Sequence, residues 1–263
     1  MIYLIDNRNE TDPHINLAME EFCLRHVSPD WPYLIVYVNR PSVIIGRHQN
    51  ILQEVDLHFT EQEELQVVRR ISGGGAVYHD FGNINFCFIN TYDRRSIANT
   101  RQTLAPIQFA LEDMGISAIF NHKNDLFVKN AKISGNAQFS NMKRILVHGT
   151  LLFDSNLDHL KRALNAPAKH ITSAARKSLT SPVTNISPHL NTRLSLKKFR
   201  VRLLESIAVR CGGIKNIHLD ETDWHAIAQL SEEKYRTWDW NYSKAPAFQI
   251  KRNAFGSTGQ SGD

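Results

Sequence analysis

The chain has 263 residues, 42% hydrophobic and 22% charged, a balance that excludes a disordered chain and allows one large domain with at most a small appendage. No apolar run approaches the roughly 20 residues needed to cross a bilayer, so no membrane partner is expected. The net charge of +5 fits an anionic partner. The basic residues are dispersed, however, with no aromatic-interleaved stripe, so a nucleic-acid-binding module is the weaker reading and no nucleic-acid partner is expected. The N-terminus turns polar after Ile5 and has no basic leader, which predicts a cytoplasmic protein, or a mitochondrial one if a transit peptide has been removed. Cys23, Cys87 and Cys211 are odd in number and never form a CxxC pair, so they read as reduced structural thiols.

In chain order, Ile2–Ile5 predicts a short strand. Asp12 and Pro13 then signal a helix start, with Ile15, Met19, Phe22 and Cys23 at helical spacing. Tyr33–Val38 and Val43–Ile45 are β-branched runs joined by Asn39-Arg40-Pro41-Ser42, which predicts a hairpin. Val67-Val68 opens a strand that runs into the glycines at 73–75. Ile84, Phe86 and Phe88 alternate with Asn83, Asn85 and Cys87, the pattern of a half-buried strand. A helix carrying Leu104, Ile107, Leu111 and Met114 ends at Gly115. Strands are expected at Asp125–Val128, Ala131–Ile133 and Ile145–Phe153, and helices over Ser195–Cys211 and Thr222–Leu230. This mixed order predicts an α+β sheet protein. The catalytic domain is expected over residues 1–248 and a loose Gly/Ser tail over 249–263.

The densest chemistry lies in Arg69-Arg70-Ile71-Ser72-Gly73-Gly74-Gly75-Ala76-Val77-Tyr78-His79-Asp80. Three glycines after a strand let backbone N–H groups close on an anion, and the arginines add donors for phosphate or carboxylate. Without further context, a glycine-rich turn flanked by solvated arginines is equally compatible with the string. It is neither a P-loop nor GxGxxG. Further on, Lys132-Ile133-Ser134-Gly135 places a lysine beside a second glycine, Asn124-Asp125 offers a carboxylate for magnesium, and Val147-His148-Gly149-Thr150-Leu151-Leu152 places a histidine in an apolar strand. Singly, each reads more simply as a surface lysine, a turn and a core histidine.

Taken in order, with Gly46-Arg47-His48-Gln49-Asn50, Val183-Thr184-Asn185 and Trp238-Asp239-Trp240-Asn241-Tyr242 followed by Pro246, these strings resemble lipoate–protein ligases over residues 1–248. The resemblance implies a mixed β-sheet flanked by helices, the biotin/lipoate ligase catalytic fold related to class II aminoacyl-tRNA synthetase cores. It implies a two-step reaction. Lipoate and ATP-Mg2+ give lipoyl-AMP and pyrophosphate. A lysine of an apo carrier domain, from a 2-oxoacid dehydrogenase E2 or the glycine-cleavage H-protein, then takes the lipoyl group.

By the same resemblance, Lys132 is the catalytic contact to both the lipoate carboxyl and the α-phosphate. Arg70, Gly75, Ala76, Val77 and Tyr78 meet the nucleotide, Asp125 the magnesium or ribose, and Thr184 and Asn185 a loop closing over the adenylate. Ser72, Gly73, Gly74, His79, Gly135, His148, Gly149 and Thr150 form the lipoate pocket. No covalent enzyme intermediate is implied, and residues 121–124 carry no cysteine where one type of related octanoyltransferase has its nucleophile. Two departures stand out. The chain stops soon after Phe248, where many bacterial ligases continue into an accessory domain, which a separate protein would then supply. The stretch His170–Ile186 is also long, as in mitochondrial lipoyltransferases. An ATP-independent transferase fed by lipoyl-AMP or a lipoylated protein is therefore the alternative to a complete ligase. The glycine string lacks the GRGRxxR character of biotin ligases.

Overall fold

The computed structural model describes residues 1–92, 100–167, 171–173, 175, 177–178, 181–244 and 248–250. Residues 251–263 of the expected tail, Pro246, and parts of the 170–186 stretch including His170 lie outside the described residues. Strand β1 (Ile2–Ile5) leads into α1 (Pro13–His26), whose N-cap Asp12 accepts the His14 N–H. Then come β2 (Tyr33–Tyr37), β3 (Ser42–Ile45), α2 (Ile51–Glu54), α3 (Leu57–Gln62), β4 (Gln66–Arg69), β5 (Val77–His79) and β6 (Asn83–Thr91). The second half adds α4 (Thr100–Asp113), β7 (Ala118–Phe120), β8 (Leu126–Val128), β9 (Ala131–Ser134), β10 (Asn136–Ser140), β11 (Arg144–Leu152) and α5 (Leu157–Ala163). It closes with β12 (Ile171–Ser173), α6 (Leu196–Cys211), β13 (Ile214–Ile217), α7 (Glu221–Leu230) and β14 (Phe248–Ile250). The result is the expected set of mixed sheets flanked by helices.

Six strands form the main sheet in the order β10-β11-β6-β2-β1-β13, with β1 parallel to both its neighbours and the other pairs antiparallel. One face buries Leu34, Val36, Ile84, Phe86, Phe88, Val147 and Leu151 together with apolar residues of α4 and α6. The other buries Tyr33, Ile35, Tyr37, Cys87, Ile89 and Leu146 with apolar residues of α1 and α7. Strand alternation explains the split, since odd positions of β2 and β6 and even positions of β11 share the α1 face. On that face Asn85, His148 and Thr150 interrupt the apolar pattern beside a cavity. Asn85 lies opposite Tyr37 on one side and Thr150 on the other, and His148 lies opposite Cys87.

The expected hairpin of residues 33–45 does not form. β2 pairs with β1 and β6 in the main sheet, whereas β3 sits between β4 and β5 in a separate three-stranded sheet. Both strands are buried at every position, and a strand buried on both faces is a central one that needs a neighbour on each side. Residues 39–42 therefore carry the chain from one sheet to another. The small sheet packs its own core of Val43, Ile45, Phe59, Val67 and Tyr78 under α2, α3 and α5.

A third sheet, β7-β8-β9, is antiparallel and presents Lys132. Gln249 and Ile250, expected in the tail, belong to β14, whose backbone pairs with β12. Two wide π-helical turns, Ser231–Tyr235 and Asp239–Ser243, bring Trp240 and Asn241 onto the end of β4.

Candidate active site

The glycine run lies between the end of β4 and the start of β5, and Gly74 adopts a left-handed φ of 94° that a side chain disfavours. Arg70 organises it from beneath. Its Nη2 donates to Gly73 O and Gly75 O at 2.7 Å each, its Nη1 to Ile44 O at 3.1 Å, and its Nε to Ser72 Oγ at 2.9 Å. With four carbonyl or hydroxyl partners, Arg70 acts as a fixed charge under the run as well as a cavity wall. Burial lowers its pKa to about 10, which leaves it cationic at neutral pH. Arg69, fully buried, points elsewhere and donates to the carbonyls of Gly46, Gln49, Trp240 and Asn241.

Above the run lies a cavity of about 530 Å³. Of the residues singled out in the sequence, it is lined by Arg70, Gly74, Gly75, Ala76, Val77 and His79 on one side. Asp125, Lys132, Gly135, His148, Gly149 and Thr150 line the remainder. Lys132 Nζ stands 3.4 Å from Asp125 Oδ2, both side chains largely covered. The Asp125 Oδ1 accepts the Asn136 N–H at 3.3 Å. Gly149 lets β10 approach β11, since a Cβ there would run into Asn136 and the Phe86 ring.

Five singled-out residues do not line this cavity. Ser72 is buried behind the run, its Oγ 2.6 Å from His148 Nε2. Gly73 borders a separate cavity of 330 Å³ with Arg47, His48 and Phe139. Tyr78 is 2% exposed in the small-sheet core, where burial raises its pKa to about 12. The Thr184 N–H donates to Lys132 O at 3.0 Å, and the Lys132 N–H to Pro182 O at 2.8 Å, so residues 182–184 form an extra strand-like edge beside the lysine. Asn185 clamps both backbone groups of Ser155.

Several residues in or behind the cavity wall escaped the sequence reading. Glu20 of α1 is 1% exposed, with Oε2 2.6 Å from His148 Nδ1 and Oε1 accepting from Tyr37 Oη at 2.9 Å. Tyr37, Glu20, His148, Ser72 and Arg70 thus form one continuous hydrogen-bonded chain. A signal was present: Glu20 lies three residues after Leu17 and four before Leu24, on the apolar stripe of α1. Leu17, Tyr37 and Ile44 add apolar wall, and Asn85 a buried amide. Ser178 carried no local signal. Its Oγ accepts the Ala76 N–H at 2.9 Å and the Gln49 Nε2–H at 3.1 Å, while its N–H donates to both Glu54 carboxylate oxygens at 3.1 Å.

His79 is held neutral: burial, then the Arg70 and His148 charges, lower its pKa to about 3. Burial likewise pushes the thiols of Cys23 and Cys87 up. Among the described residues no three His, Cys, Asp or Glu side chains converge as a metal cage. The single carboxylate of Asp125 suits a hard divalent ion whose remaining ligands come from water and a substrate's phosphates. Cations and backbone N–H groups on one wall, and apolar side chains on another, equip the cavity for an amphipathic acid beside a phosphate.

The lipoyl protein ligase A/B catalytic-domain model matches residues 12–208. Lipoate-protein ligase LplJ of Bacillus subtilis is 45% identical over 251 residues, 95% of this chain and 76% of that protein. A crystal structure of lipoate-protein ligase A bound with ATP superimposes with a TM-score of 0.75 at 26% identity, covering 88% of this chain and 94% of that one. A chain from an archaeal lipoylation system, described as a bi-partite lipoate protein ligase and its E2 lipoyl domain from Thermoplasma acidophilum, gives 0.77 at 25% identity, covering 91% and 94%.

Proposed function

Because the chain belongs to the lipoyl protein ligase A/B catalytic-domain family, we propose that it adenylates lipoate with ATP and transfers the lipoyl group to a lysine of a carrier domain. The observation that carries this reading is Lys132, a partly covered cation beside Asp125, in one cavity with the glycine run and the apolar wall of Leu17, Tyr37 and Ile44. In the first step a lipoate carboxylate oxygen attacks the α-phosphorus of ATP and pyrophosphate leaves. The reactants are both anionic, so a cation shared between them removes repulsion and stabilises the charge that builds in the transition state. Lys132 supplies that cation. The backbone of residues 74–77 holds the nucleotide side, with Arg70 fixing its shape. A magnesium ion, when bound at Asp125, would neutralise phosphate charge.

In the second step the amine of the acceptor lysine attacks the acyl carbonyl of the mixed anhydride and AMP departs. Enclosure by the segment carrying Ser178, Thr184 and Asn185 would keep water from the anhydride. E2 and H-protein carrier domains are the acceptors we infer. A separate accessory protein is a further partner of the same reading, in keeping with the bi-partite description of the archaeal ligase, and a cytoplasmic setting belongs to it as well. No helix among the described residues is long and apolar enough to cross a membrane.

Intact mass of an apo lipoyl domain tests the proposal in two tubes, one with lipoate and ATP-Mg2+, the other with lipoyl-AMP alone. Adduct in both is the expected outcome. Adduct only in the second means transfer without self-sufficient activation, the ATP-independent alternative. Adduct in neither sinks the ligase and transfer from lipoyl-AMP, and leaves transfer from a lipoylated protein. Lys132→Ala should lower adenylation about 100-fold or more, with an unchanged melting curve as the control.

A further inference from the structure

We propose that β10 is the docking edge for the carrier domain, which adds a strand of its own to the main sheet and so brings its target lysine to the cavity. The inference rests on the lipoyl-transfer reading above and names the surface on which that transfer takes place. β10 is the last strand of the main sheet, with β11 on one side only. All five of its residues are partly exposed.

The register fixes which backbone groups face outward. The Thr150 N–H donates to Gly135 O at 3.1 Å, and the Asn141 N–H to Arg144 O at 3.2 Å. Hydrogen-bonded pairs therefore alternate along the ladder and include Ala137 with His148 and Phe139 with Leu146. The N–H and C=O groups of Asn136, Gln138 and Ser140 point away from β11. Asp125 Oδ1 accepts the Asn136 N–H, whereas the outward backbone groups of Gln138 and Ser140 meet no partner among the described residues. Such an edge is a template for another strand, and sheets guard against pairing with lysine, proline or a charge. The opposite edge of this sheet, β13, carries the exposed Lys215. The β10 string Asn136-Ala137-Gln138-Phe139-Ser140 has neither charge nor proline.

The position of the edge names its occupant. Asn136 and Ala137 line the main cavity together with Lys132, and Gln138, Phe139 and Ser140 line the second cavity together with Arg47 and His48. At about 3.3 Å per residue, both cavities open within roughly 13 Å of strand. A strand paired through its backbone with Gln138 and Ser140 passes both, and the lysine that attacks the acyl carbonyl enters at the first. Arg47 and His48 are exposed, and the Arg47 guanidinium lies 6.0 Å from the Phe139 ring centroid. Among the described residues no Asp or Glu lines the second cavity. The partner that fits is a carrier domain with an exposed strand beside its lysine and an acidic side chain about two to four residues away, facing Arg47. Backbone pairing supplies affinity, and the charge sets the register.

The test follows backbone hydrogen exchange in the unmodified protein with and without an apo lipoyl domain, and needs no variant. Residues 136–140 should exchange at least about fivefold more slowly when the domain is present. Transfer from lipoyl-AMP gives the second readout. Arg47→Glu should raise KM for the apo domain about tenfold while kcat and the KM for lipoyl-AMP stay within about twofold. No protection at 136–140 while the domain becomes lipoylated overturns the docking edge and leaves the lipoate reading standing. So does an unchanged KM in a folded Arg47→Glu. Protection that grows with protein concentration alone assigns the edge to a second copy of this chain, which also overturns the proposal. An apo domain left unmodified by every lipoyl donor removes the lipoate reading and this edge with it.

Discussion

Arg69 donates to five backbone carbonyls, those of Gly46, Arg47, Gln49, Trp240 and Asn241, and only a planar fork with five donors reaches them all. Arg69→Lys should cost about 3 kcal/mol or more in a denaturant melt, because carbonyls around the site lose their partners while a charge stays buried. At His79 the pH dependence has a definite sign. The unfolded imidazole takes a proton near 6.5 but the folded one only near 3, so stability is full above 6.5 and falls as pH drops toward 3. Asp12 and Glu21 lose theirs lower, because hydrogen bonds from His14 and Arg236, and from Lys234 and Tyr235, outweigh burial and hold both carboxyls below their usual range. Between pH 6.5 and 4.5 the loss from His79 amounts to roughly 2–3 kcal/mol. His79→Gln should flatten the melting-temperature profile across that window; an unchanged slope would place the acid sensitivity elsewhere. The two adjacent arginines were legible as cations but not as separate devices, since which carbonyls each would meet depends on strands far apart in sequence.

At the scale of elements, the sequence marks the boundaries of α1, α6 and α7 well, because Asp12, Ser195 and Asp220 cap them through their own side chains. Strand partners were less legible. The runs at 33–37 and 43–45 are apolar throughout, which signals central strands, yet Asn39-Arg40-Pro41-Ser42 imitates a hairpin turn. Short elements such as β7, β13 and α2 went unseen because three or four residues carry too little periodicity to register. Strand packing makes its own forecast at β11: Gly149→Ala must push Asn136 and Phe86 aside. We expect a several-fold rise in KM for the acyl substrate with secondary structure retained, checked by pyrophosphate release against circular dichroism. Glu54→Gln weakens the acceptor that holds the Ser178 N–H, so residues near 178 should become more open to limited proteolysis while the melting temperature moves little.

Across the whole molecule, the family match ends at residue 208, but the fold does not. β13 completes the main sheet beside β1, α7 and Tyr235 cover α1, and Trp240 and Asn241 seat on Arg69. Truncation after Gly212 should therefore yield aggregated or partly folded protein rather than an active core, as read by size-exclusion chromatography and lipoate binding. The cavity was legible from the sequence wherever glycines and charges share one string, as in residues 69–80. The rest of its wall was not, because Asn85 and Ser178, and Glu20 behind His148, come together only after the sheet assembles. The clasp on Arg69 also has a consequence for biosynthesis. Its partner Asn241 lies 172 residues downstream, so at common translation speeds the ribosome needs roughly 10–30 s to deliver it. Throughout that interval the nascent chain carries a β4 end whose guanidinium must stay hydrated, and the base of the ligase site sets only once residues 239–243 have left the exit tunnel.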